Sequence, residues 1–223
     1  MKAKTEPLSH AVLKTKQRAI RENFPLELTL RVHRSLSWFG RACDETGDSD
    51  VRFILLWIAF NAAYASDIDV EAGGDREKFR LFFKTLIDLD PEGRIYASVW
   101  DRFPHEIRMF LDNRFVFAPF WAHHNGQPGY ADWEERQSRS KHAIGKAMAK
   151  QDTPTILSIL FDRLYVLRNQ LVHGGATWCS KVNRDQVRDG GAILMHLVPT
   201  FIDIMMDNEK HPWGMPFYPV VEE

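Results

Sequence analysis

Residues 51–64 read Val-Arg-Phe-Ile-Leu-Leu-Trp-Ile-Ala-Phe-Asn-Ala-Ala-Tyr, and no other segment constrains the fold as much. The run has no polar stripe, so whatever it forms must be enclosed on every side. It is too long for an ordinary strand and its alanines favour helix, which predicts a central helix, apolar all round. Such a helix needs partners, and the flanking sequence has their period. Residues 8–22 form a basic amphipathic stretch with Leu8, Val12 and Ile20 as its apolar positions. Pro25 suits the start of a second helix, with Leu26, Leu30, His33, Ser37 and Gly40 on one stripe. Thr46-Gly47-Asp48-Ser49-Asp50 is a turn rich in N-cap residues that leads into the central run.

Helical pattern dominates the rest of the chain. Gly73-Gly74-Asp75 ends a loop before a helix over about 76–89, which Pro91 closes. Pattern continues over about 92–103 and 104–115, with Pro104 placed in a first turn. Residues 117–131 read as an aromatic-rich loop around His123 and His124. The stretch 136–150 holds Arg136, Arg139, Lys141, Lys146 and Lys150 and no acid. It reads first as a solvated face and second as a track for an RNA backbone. Thr153-Pro154 starts a helix whose Ile156, Leu157, Leu160, Leu164, Leu167 and Leu171 recur at helical spacing until Gly174-Gly175. Residues 184–206 make a last apolar helix, weakened by Gly190-Gly191 and Pro199. His33 and His196 fall on apolar faces and are expected to be satisfied core histidines.

No segment shows strand alternation, so the expected class is all-α, a helical bundle with additional short helices and an extended C-terminal tail. Its organisation is a basic N-terminal helical extension at 1–24, a main helical domain at 25–207 and a Pro-rich tail at 208–223. Seven Trp and fifteen Phe in 223 residues exclude a disordered, solvating chain. A net charge of −1 excludes a protein that wraps nucleic acid by bulk charge. Cys43 and Cys179 show no paired spacing, the N-terminus has no apolar signal segment, and the run 53–60 is far shorter than the ~20 residues that span a bilayer. A soluble, cytoplasmic protein that makes no membrane contact is expected. Adjacent histidines lack the i, i+4 geometry of a metal pair, so no metal and no other cofactor is expected.

The informative chemistry lies in Arg163-Leu164-Tyr165-Val166-Leu167-Arg168-Asn169-Gln170-Leu171-Val172-His173-Gly174-Gly175. On a helix, positions i, i+1, i+4 and i+5 share one surface patch. Arg168, Asn169, Val172 and His173 occupy those corners. A guanidinium fork suits phosphate oxygens, and imidazole is the side chain suited to proton transfer near neutrality. The spacing alone carries little, since 18 Arg and 9 His give roughly 0.7 such pairs by chance. Arg136 and His142 are one looser match of that chance kind. The first pair is distinguished by its context: late in a strong helix, Asn beside Arg, Gly-Gly at the end. The plain alternative is a helix C-terminus with cationic residues set against the dipole.

The Arg168-Asn169-x3-His173 segment resembles the Arg-x4–6-His signature of HEPN domains. Leu56-Trp57-Ile58-Ala59-Phe60-Asn61-Ala62-Ala63-Tyr64 is similar to the first core helix of the Apea-like branch of that superfamily. The resemblance extends over about 25–207. It implies a HEPN-like bundle that pairs as a homodimer, bringing two Arg/His patches into one cleft. It also implies a metal-independent endoribonuclease of the kind found among toxins and antiviral defence effectors, with RNA as substrate and an antitoxin or regulatory protein as a further partner. Arg168, Asn169 and His173 would be catalytic, while Asn61, Tyr165 and Arg163 would support the site or touch RNA. A catalytically inactive HEPN fold, serving as a dimeric interaction or nucleotide-binding module, is the alternative.

Overall fold

The computed structural model describes residues 8–65, 75–181, 183–218 and 220, and of residues 75–78 only the backbone. Gly73-Gly74, the basic Lys2 and Lys4, and the last three residues lie outside the described residues. Among the described residues there are ten α-helices and no β-strand. They are α1 (His10–Ile20), α2 (Leu26–Asp44), α3 (Ser49–Tyr64), α4 (Asp75–Asp88) and α5 (Arg94–Ala97), then α6 (Pro104–Asp112), α7 (Ala118–His124), α8 (Trp133–Ala149), α9 (Thr153–Val172) and α10 (Arg184–Asp207). The class is all-α.

The apolar run becomes α3, and it is enclosed as its composition demands. Phe53, Leu56, Trp57, Ala59 and Phe60 are buried, with α2, α9 and α10 packed around them. Asp48 caps α3 with its carboxylate, which accepts from the backbone N–H groups of Asp50 and Val51. Phe60 is the hub of an aromatic cluster, 4.4 Å from the Phe161 ring on α9 and 6.4 Å from Phe201 on α10. Along α3, Phe60 meets Phe161, while Phe53 lies with Leu164 beside Gly190. The two helices therefore run antiparallel, and the N-terminus of α3 lies beside the C-terminal half of α9.

Several sequence expectations are corrected in register rather than in kind. On α2 the buried face is Leu28, Arg31, Val32, Ser35, Leu36, Phe39 and Gly40. Leu26, His33 and Ser37 are exposed, so His33 is not a core histidine. On α1 the core positions are Leu13 and Gln17, with Val12 outside. That first helix packs on α2 and α10 as part of the same core: His10 rests over Gly40, where a Cβ would meet its ring at 2.8 Å. Lys16 of α1 reaches Asp203 and Asp207 of α10, and Arg94 of α5 binds the same two carboxylates. Residues 118–124, expected as loop, form α7. Gly190-Gly191 and Pro199 lie inside one continuous helix, because Gly190 lets Leu164, Phe53 and Phe110 close against α10. That helix is long and apolar enough to cross a membrane, and its apolar stretch is mostly buried inside the bundle.

After α10 the chain turns at 208–210 and then runs without helix to residue 218, strapped to α2. Arg31 is fully buried and donates to four backbone carbonyls: Ala63 and Ala65 at the end of α3, Gly214 and Met215 in the tail.

Candidate functional site

Helix α9 begins as its sequence requires, with the Asp152 carboxylate accepting from the Thr155 N–H and Pro154 in the first turn. It ends in a Schellman turn. Gly174 has φ +68°, the Gly175 N–H donates to the Gln170 carbonyl at 2.7 Å, and the Gly174 N–H faces that of Leu171 at 3.4 Å. This stop places His173 at the C-cap, exposed, with its own N–H on the Asn169 carbonyl at 2.9 Å.

One turn earlier, Arg168 donates from Nη1 to Asn169 Oδ1 at 2.9 Å. Both side chains are half-buried, so the guanidinium is steadied by a neutral amide and keeps its charge uncompensated within this pair. Val172, between them and His173, is 51% exposed. Tyr165 completes the face, half-buried, with its ring 6.0 Å from Trp57 of α3. Arg168, Asn169, Val172 and His173 thus form one open patch at the end of α9, and Tyr165 is the step between that patch and the core.

Two other expected residues lie elsewhere. Arg163 is only 5% exposed: its guanidinium carbon lies 4.2 Å from the centre of the Phe117 ring and Nη2 donates to Ser140 Oγ. It joins α9 to α8 and the segment before α7, and it does not face solvent where RNA would bind. Asn61 is half-buried and one turn beyond Trp57. Since α3 runs antiparallel to α9, that puts it level with Phe161, about 10 Å along the axis from Arg168 at 1.5 Å per residue. Phe161 itself is wholly buried and offers nothing to a partner. The cationic stretch 136–150 forms the outer face of α8, where Arg136 and Arg139 pair with Asp132 and Lys141 pairs with Asp112. Much of its charge is therefore already matched.

Sequence reasoning missed the clamp that holds the site end of the molecule together. Asp50, the second residue of α3, accepts from Arg184 of α10 and from the Cys179 N–H in the loop after α9. Trp178, 75% exposed, donates its indole N–H to Asp48. The Val51 backbone N–H, and after it the Trp178 indole, hold the Asp48 carboxyl below its usual pKa range. The visible signal was two acids at a helix start; their partners lie some 130 residues away. His123 and His124 stack with Phe120 and Trp133, and His124 Nδ1 pairs with the Phe120 carbonyl. Among the described residues, no group of three or more His, Cys, Asp or Glu is placed to hold a metal ion. No protein-family model, no curated protein and no solved structure matches this chain.

Proposed function

We propose that the protein is an endoribonuclease of HEPN type that cleaves RNA by attack of the ribose 2′-OH on the adjacent phosphate. The observation that carries this reading is the open face at the end of α9, where an amide-steadied guanidinium and an exposed imidazole lie one helical turn apart. His173 takes the 2′-OH proton as the 2′-oxygen bonds to phosphorus. Arg168 stabilises the charge that builds on the non-bridging oxygens. The bond from phosphorus to the 5′-oxygen then breaks, and that oxygen leaves with a proton. The products are a 2′,3′-cyclic phosphate and a 5′-hydroxyl, and the need for the 2′-OH selects RNA over DNA. Asn169 takes a narrower role than the resemblance implies, since its amide oxygen engages Arg168 and not the imidazole.

The test is to incubate purified protein with mixed RNA in EDTA beside a His173→Ala variant. Wild type should leave 2′,3′-cyclic phosphate ends and the variant should leave RNA intact. Equal cleavage by both, or cleavage that needs added Mg²⁺ or Mn²⁺, overturns the assignment.

A further inference from the structure

A second feature lies on another face of the same end of the bundle. Between the start of α3, the turn before α6 and the first half of α10 there is a cavity of about 350 Å³. Its lining is largely apolar, with Phe103, Val187, Gly191 and Met195, and Ala192 at the exposed edge. Gly191 contributes open space, since a Cβ built on it would meet nothing within 4 Å. Three arginines, Arg52, Arg102 and Arg188, line the same cavity, and no carboxylate does.

The engagements of Arg52 and Arg188 leave donors over. Arg52 gives Nε to the Glu45 backbone carbonyl. Arg188 meets Asp185 and Asp189 through Nη1 and Nε, on a side chain that is mostly exposed. A guanidinium carries five N–H donors, so both arginines keep some for a ligand. His196 closes the inner end of the cavity, its ring edge against Phe103 at 5.6 Å between centroids. It is only 9% exposed, and its Nδ1 is buried with no hydrogen-bond partner. A buried imidazole nitrogen without a partner is uncommon in a settled core. The expectation of a satisfied core histidine is therefore corrected here as well. Burial first, and then the Arg102 charge, hold His196 in its neutral form.

We propose that this cavity binds a small phosphorylated molecule with a flat apolar body. The phosphate meets the arginine rim, where bidentate charge-assisted bonds are available. The apolar body lies on Phe103, Ala192 and Met195, with His196 at its end. The volume is at the lower end of the range for small-molecule sites, which limits the ligand to about the size of an aryl phosphate or a compact phosphate ester.

Phenyl phosphate is the probe, titrated calorimetrically into the full chain, with inorganic phosphate and phenol as its two halves. Phenyl phosphate should bind, inorganic phosphate about tenfold more weakly or worse, and phenol without measurable heat. Arg188→Gln removes an exposed rim charge, and Ala192→Trp crowds the mouth while leaving every charge in place. Each should weaken phenyl phosphate about tenfold or more, with an unchanged helical circular dichroism spectrum. The His196 ring resonances should shift on titration in wild type. His173→Ala should bind as wild type does, which separates this site from the proposed nuclease patch. Absence of phenyl phosphate binding overturns the proposal, as does full affinity in both cavity variants. Equal affinity for inorganic phosphate overturns the apolar half of it.

Discussion

At the scale of single residues, His196 sets a pH dependence whose sign can be worked out. Its pKa is lowered from 6.5 to about 4, by burial first and then by Arg102. Below pH 6.5 the unfolded chain binds a proton that the native imidazole refuses until about pH 4. Stability should therefore be full above about 6.5 and fall steadily as pH drops towards 4, with no further loss from this group below that. Glu45 (through Arg41), Asp48 (through the Val51 N–H) and Asp132 (through Arg136) have carboxyls held below their usual range, so their contributions are lost only at lower pH. Urea melts between pH 7 and 4.5 should show the slope, and His196→Phe should flatten it; an unchanged slope removes His196 as its source. The patch on α9 yields a second expectation. Arg168→Ala and His173→Ala should each lower RNA cleavage by about 100-fold or more, the scale for losing an electrostatic stabiliser or an acid–base group. Asn169→Ala should cost less, about tenfold, because Arg168 stays and loses only its steadying bond. All three variants should melt near wild type, since none of these side chains is in the core.

At the scale of elements, Arg31 decides how the tail is held. Its guanidinium ends α3 and fastens the tail in one stroke, bonding Ala63, Ala65, Gly214 and Met215 carbonyls from a fully buried site. Arg31→Met keeps the bulk and strands those carbonyls, so it should destabilise the fold by about 3 kcal/mol or more. Limited proteolysis should then cut first near 214–218, where the strap is lost; resistance there equal to wild type would show that Arg31 is not what fastens the tail. This device was illegible in the sequence, where Arg31 sits on what period alone reads as a polar position. The helices themselves were legible wherever apolar spacing was strong: α3 and α9 lie within a residue or two of where their patterns put them. Register failed on α1 and α2. There Leu26 and Val12 look like core but face solvent, while Gln17 is buried with Lys14 of its own helix as partner and Arg31 is buried through long-range partners. Residues 117–131 misled for a related reason, because Pro119 occupies the first turn of α7, where proline starts a helix rather than breaking it. The Arg168–His173 patch was readable because helical geometry alone assembles it. The Asp50 clamp and the His196 cavity were not, because each joins segments more than 40 residues apart that only the packed bundle brings together.

At the scale of the whole molecule, the unresolved demand of the proposed chemistry is a second proton-transfer group. Transesterification needs a base at the 2′-oxygen and an acid at the 5′-oxygen, and each α9 end offers one exposed imidazole. A two-fold pair of chains presents the same face twice and so supplies both. The surface there is suited to it: Val172 is half exposed, Tyr165 and Val166 are half-buried, and the Gly174 turn keeps the chain from continuing over them. Phe161 and the aromatic cluster behind it are already consumed by the chain's own core, so the proposed pairing would have to use this short outer stripe. Light scattering at micromolar concentration should give a mass near twice 25.9 kDa. Val172→Glu should return it to a single chain and abolish RNA cleavage together, since a charge on the seam meets its own copy across the axis. Mixing Arg168→Ala with His173→Ala protein then tests whether the two patches cooperate, because regained activity in the mixture requires groups from both chains. A monomeric mass with full activity would instead confine catalysis to one imidazole, which must then return to the 5′-oxygen the proton it took from the 2′-hydroxyl.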